Sequence, residues 1–117
     1  MDIDTADLGD VILLRPGDDL DLLGYQAVSE KLDKVLHGGH RKIVIDLCRT
    51  TYVNSSAAGA LVRFHERARR SGGVVALACV RGGAAAMLAA SGTLKMLASY
   101  ESVEEAIAAL RGGQAPG

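Results

Sequence analysis

Tryptophan is absent from this 117-residue chain and phenylalanine occurs once, so the core must be assembled from Ala, Val, Leu and Ile. No uninterrupted apolar run approaches the roughly 20 residues that span a bilayer, so no membrane insertion is expected. The opening Met1-Asp2-Ile3-Asp4 lacks the basic and then apolar order of a secretory signal, which predicts a cytoplasmic protein. Net charge is nearly absent, at −1. Nucleic-acid binding usually brings a positive excess over the whole domain, so direct contact with nucleic acid is not expected. Cysteine is scarce: Cys48 and Cys79 each end an apolar, strand-like run and read as buried free thiols. No Cys-x-x-Cys pair occurs and the histidines are distant, so no metal site and no cofactor are expected.

The length suits one domain with a real core. Charge is unevenly spread: Asp2, Asp4, Asp7, Asp10, Asp18, Asp19 and Asp21 face only Arg15 near the start. Later, Arg63, Arg67, Arg69 and Arg70 crowd one helix, which reads as a solvated face. Val11-Ile12-Leu13-Leu14 reads as a strand, and Lys42 to Leu47 and Val74 to Cys79 as continuously buried strands. Pro16-Gly17-Asp18-Asp19 is a turn. Apolar Leu22, Tyr25, Val28, Leu32, Val35 and Leu36 recur at helical spacing, and the Gly38-Gly39 pair stops that helix. A second helix runs from about Ser56 to Arg70, with Ala57, Leu61, Phe64 and Ala68 inward. Gly82-Gly83 begins a short helix, and Leu94 to Ser99 reads as a short strand or extended link. Ser102-Val103-Glu104-Glu105 is a capping box opening the last helix. Residues 1–111 form the domain and 112–117 a disordered tail. The alternation predicts an α/β fold with a small, mostly parallel central sheet covered by about four helices.

In such a sheet the working site lies at the carboxyl ends of the strands. Asn54-Ser55-Ser56-Ala57-Ala58-Gly59 falls there, between a buried strand and a helix. Two hydroxyls at a helix mouth serve either to cap it or to carry a phosphate, because the free amides and dipole favour an anion. Catalysis is not expected. The serines lack the Gly-x-Ser-x-Gly turn, His37 and His40 belong at the opposite end of the sheet, and His65 lies too far along its helix. No nucleotide-binding glycine pattern is present.

The order of apolar strand, short loop, paired serines, helix, Gly-Gly and strand resembles the STAS domain of bacterial anti-sigma factor antagonists. Asp19-Leu20-Asp21 after Gly17 is similar to that family's Gly-Glu-Leu-Asp turn. Ala90-Ser91-Gly92-Thr93-Leu94 is similar to its Ser/Thr-Gly-Leu segment, and Ser102-Val103-Glu104-Glu105-Ala106 to the start of its final helix. The resemblance implies partner switching. An unphosphorylated antagonist docks on an anti-sigma factor that is also a serine kinase and frees the sigma factor. Phosphorylation then weakens docking, and a serine phosphatase resets the cycle. Carried onto this chain, the phosphoacceptor is Ser55, and Asp21, Asn54, Ser56, Ala57 and Gly59 are partner-binding positions; Arg63 joins them because the arginines cluster beside the serine loop. The chain departs from the family where Asn54 replaces Asp and Ala57-Ala58-Gly59 replaces Gly-Leu-Gly. Those changes motivate a second expectation, a constitutive, unphosphorylated STAS module in a lipid-transport complex or a stress-signalling scaffold. Oligomeric state is left open.

Overall fold

Short runs of aliphatic residues, apolar on both sides, can only rest at the centre of a sheet covered on both faces. A computed structural model describes residues 3–17 and 19–112 and places those runs so. The chain order is β1 (Asp4–Asp7), β2 (Val11–Arg15), β3 (Asp19–Leu20), α1 (Leu22–His37), β4 (Lys42–Asp46) and β5 (Tyr52–Val53). It continues with α2 (Ser55–Arg70), β6 (Val74–Ala78), α3 (Gly82–Ala90), α4 (Thr93–Met96), β7 (Ser99–Tyr100) and α5 (Val103–Arg111). The main sheet has the order β1-β2-β4-β6-β7, parallel except for β1 at one edge.

Strand alternation divides the core between two layers. Ile12, Leu14, Ile43, Ile45, Val75 and Leu77 share one cluster with Val28 and Leu32 of α1 and Leu61 and Phe64 of α2. Leu13, Val44, Ala76 and Ala78 share the other with Ala106 and Leu110 of α5. Alanines on the second face let a single nine-residue helix approach and cover it.

The helices start where the caps dictate. Asp21 accepts from the Gly24 amide at 3.1 Å, and Ser102 accepts from the Glu105 amide at 3.1 Å, as the capping box predicts. At the end of α1 the Gly38 amide donates to Lys34, and Gly39 turns the chain with φ +90.

Two expectations change, and two features appear that the sequence pattern did not indicate. The acidic start is an edge strand: Asp4-Thr5-Ala6-Asp7 pairs antiparallel with β2, its carboxylates blunting an otherwise open edge. The segment from Leu94 to Ser99 divides into the end of α4, a link and the first residue of β7. Buried Thr93 nucleates that turn, its Oγ1 donating to the Ala58 carbonyl at 3.1 Å and lying 2.8 Å from Ser91 Oγ. Two-residue strands β3 and β5 pair with each other outside the main sheet, too short to leave a period in the sequence. Finally, Cys48 and Cys79 are not free thiols but a disulfide. β4 and β6 are neighbours in register, Asp46 beside Ala78, so both chains leave the sheet side by side with Cα atoms 4.7 Å apart. Asp18 of the predicted turn and residues 113–117 of the predicted tail lie outside the described residues.

His65, 8% exposed, accepts at Nδ1 from the Val75 amide and joins α2 to β6. Burial, with the Arg69 charge beside it, lowers its pKa below the ordinary 6.5. Well above pH 6.5 the ring is neutral in folded and unfolded chains alike. Below it the unfolded chain takes the proton first, so stability falls with acidification until the folded pKa is passed. Urea denaturation across pH 5 to 7 (roughly the range in which histidine titrates) is expected to show that decline, and His65→Gln is expected to reduce it.

Candidate functional site

Leu20 and Val53 are each 1% exposed, and burying them drives the β3–β5 pairing. That pairing has a consequence for both following helices. It sets the amino terminus of α1 beside that of α2, and the Asn54 amide donates to the Leu20 carbonyl at 3.1 Å. Asp21 and Asn54, the two helix caps, therefore occupy neighbouring positions on one edge.

Asn54 holds an extended backbone and accepts at Oδ1 from the Ala57 amide at 2.8 Å. This corrects the expectation that Ser55 or Ser56 caps the helix. Asparagine is as good a cap as serine, so the signal was present one residue earlier. Ser55 and Ser56 instead form the first two positions of α2, both exposed. The first turn of α2 carries no acidic residue. A neutral cap and a positive helix end make this a favourable place for added negative charge. The Asp21 carboxylate is the opposing charge on the same edge.

Ala57 and Ala58 point inward, at 1% and 0% exposure, and seat the first turn of α2 on the core. Gly59 is half-buried, and a Cβ built there lies 3.5 Å from Arg63 Nη1, an ordinary contact. Ser56, Gly59 and Arg63 follow one another at helical spacing, so the Arg63 cation lies along the stripe that begins at the serines. Arg67, a turn further on, is paired with Asp33 of α1; both are substantially exposed and the pair adds little stability.

Three exposed apolar side chains sit on elements bordering this turn: Leu23 (64%) in the first turn of α1, Tyr52 (50%) on β5 and Met96 (56%) on α4. The link from α4 to α2 is the Thr93 hydrogen bond to Ala58. Leu23 and Tyr52 were not singled out as site residues in the sequence. Leu23 stands beside the α1 apolar stripe, and an off-stripe leucine next to a cap is the signal available.

The histidines lie elsewhere. His37 Nδ1 is 2.9 Å from the Asp33 carbonyl at the far end of α1, and His40 lies 4.0 Å from Asp7. His65 is ten positions beyond Ser55, about 15 Å along the helix axis. Among the described residues no helix is long and apolar enough to cross a membrane.

A family model of the STAS domain matches residues 2–106. Among curated proteins nothing matches the sequence. Several solved structures share the fold. An anti-sigma factor antagonist from Mycobacterium paratuberculosis is 20% identical with a TM-score of 0.82, over 93% of this chain and 92% of that one. The anti-sigma factor antagonist SpoIIAA in its unphosphorylated form is 17% identical with a TM-score of 0.79, over 94% and 96%. The Bacillus cell fate determinant SpoIIAA in its phosphorylated form is 17% identical with a TM-score of 0.71, over 93% and 99%. At such identities the likeness shows the fold, while the family model spans nearly the whole sequence: the chain belongs to the STAS domain family.

Proposed function

We propose that this protein is an anti-sigma factor antagonist that binds an anti-sigma serine kinase through the α1–α2 edge and is released when Ser55 is phosphorylated. The observation carrying this reading is an exposed serine at the first position of α2, on the edge shared with Asp21. Likeness to SpoIIAA in both phosphorylation states supports a switch that needs no refolding.

The physics is local. A phosphate adds about −1.5 to −2 charge and strong acceptor oxygens. The helix end tolerates that charge, but a partner surface shaped to a small neutral hydroxyl does not. Leu23, Tyr52 and Met96 supply apolar area for the docked state, Arg63 a cation for acidic groups of the partner, and Asp21 a carboxylate that a phosphate repels. Asn54 in place of Asp lowers the repulsion next to the acceptor and gives up a carboxylate that would orient the serine hydroxyl.

Phosphosite mass spectrometry on the protein from its own cells, with a Ser55→Ala control, tests the reading. A single phosphate is expected on Ser55, lost in the control while thermal unfolding stays unchanged. Ser55→Asp is expected to weaken kinase binding tenfold or more, since about 1.4 kcal/mol suffices for each factor of ten. Label persisting on the Ala variant would place the acceptor elsewhere. A protein unmodified under all growth conditions would favour the second reading, a constitutive STAS module in a lipid-transport or stress-signalling assembly, which Asn54 and Ala57 motivate.

A further inference from the structure

We infer that Cys48–Cys79 is a redox-active disulfide that holds the segment leading into the Ser55 turn, so that reduction loosens that segment. The bond sits on the carboxyl edge of the sheet, between the β4–β5 connection and the β6–α3 connection. Five residues separate Cys48 from Asn54 in the sequence. Over that stretch the Thr50 hydroxyl donates to the Gly17 carbonyl at 2.9 Å, and β5 holds to β3. On the other side, a Cβ built at Gly83, at the start of α3, would lie 3.0 Å from the Thr51 carbonyl. The two connections therefore touch at the disulfide and again at Gly83, and the disulfide is the covalent link between them.

Two features favour reversible chemistry over a purely structural bond. The first is access: Cys48 is partly exposed, and Cys79 lines an open cleft of about 280 Å³ with Val80, Arg81 and Glu101. The second is backbone conformation. Cys79 is the one non-glycine with positive φ, +62, among the described residues. A side-chain-bearing residue keeps that conformation only where its surroundings enforce it. Here the disulfide and the Cys79 amide bond to Tyr100 at 2.9 Å do so, and reduction removes the first.

The chemistry is exchange with a dithiol reductant. Its thiolate attacks one sulfur, forming a mixed disulfide and releasing the other cysteine as a thiolate that takes up a proton. The second thiol of the reductant then displaces the remaining cysteine. The protein gains two electrons and two protons, and the dithiol becomes a disulfide.

Asp46 complicates the reduced state usefully. One ligand atom from each of Asp46, Cys48 and Cys79 lies within 4.8 Å of the others, so two thiols and a carboxylate form a conceivable cation site. The carboxylate is already engaged, by Arg15 Nε at 2.7 Å and the Cys48 amide at 2.9 Å, which argues for the disulfide as the working state.

Hydrogen exchange with mass spectrometry on the full chain, oxidised and then reduced with dithiothreitol in chelator, tests the inference. Reduction is expected to free two thiols and to speed exchange over residues 48–54 by about tenfold or more, with α5 unchanged. The Cys48→Ser, Cys79→Ser double variant is expected to match the reduced protein and ignore dithiothreitol. Equal exchange in both states overturns the inference. So do thiols that stay free under mild oxidant, and so does one equivalent of zinc, added alone, that binds the reduced chain and protects residues 48–54. The consequence for docking rests on the Ser55 reading, whereas the exchange measurement does not. A rigid reduced protein leaves that reading intact, and an unphosphorylated Ser55 leaves the redox inference intact.

Discussion

Leu77→Ala is expected to lower the unfolding free energy by about 3–4 kcal/mol, near the middle of the range for a buried leucine. Leu77 is fully buried near the carboxyl end of β6, between Ile45 of β4 and Ser99 of β7. Its side chain faces the cluster that includes Leu61, Phe64 and Leu88. Its amide donates to the Ala98 carbonyl at 2.9 Å, so the backbone cannot shift to fill the space left behind. Leu61, Phe64 and Leu88 are themselves buried, so none can swing into the cavity without opening another. Urea denaturation should show a lower midpoint with an unchanged slope, as expected when stability alone changes. Met96→Ala, at an exposed position, is the control and should stay within about 0.5 kcal/mol of the parent.

Gly73→Ala is expected to cost about 2–3 kcal/mol for the opposite reason, overpacking. Gly73 joins α2 to β6, and a Cβ built there collides with the Arg41 carbonyl. That carbonyl also accepts the Val74 amide at 2.7 Å, so moving it disturbs the point where β4 and β6 enter register. Two other glycines separate the mechanisms. At Gly72 a Cβ meets nothing, but φ is +84, so Ala there should cost roughly 1–2 kcal/mol through backbone strain alone. At Gly59, inside α2, Ala meets only the mobile end of Arg63 and should stabilise by up to about 1 kcal/mol. Equal losses at all three positions would show that contact with Arg41 is not the cause at Gly73. The Gly59 variant also bears on the site: unchanged partner affinity would mean that the partner does not approach the α2 backbone closely there.

Much of the architecture was legible because it rests on local physics. The apolar stripe from Tyr25 to Val35 records one covered face, and the unbroken runs Ile43 to Ile45 and Val74 to Ala78 record strands covered on both. The Ser102–Glu105 cap is written within four residues, and its Ser102 half forms, the hydroxyl accepting from the Glu105 amide. The serine turn was also legible, through its place after a buried strand and its likeness to a known family. Its finer construction was less so. Residue types allowed Asn54, Ser55 or Ser56 to cap α2, and the choice fell to Asn54, whose amide is drawn to Leu20 across a strand pair that no period reveals.

The sequence by itself determined the layers of this protein, because burial marks the helices with an apolar stripe and the central strands with an unbroken apolar run, and both are local patterns. The tertiary structure alone decided what meets at the carboxyl edge. The Cys48–Cys79 bond joins residues 31 apart, the β3–β5 pair sets Asp21 beside Asn54, and Thr93 reaches back to Ala58. Each depends on two chain segments arriving at one place, and that is a property of strand order and register, which a linear pattern does not contain.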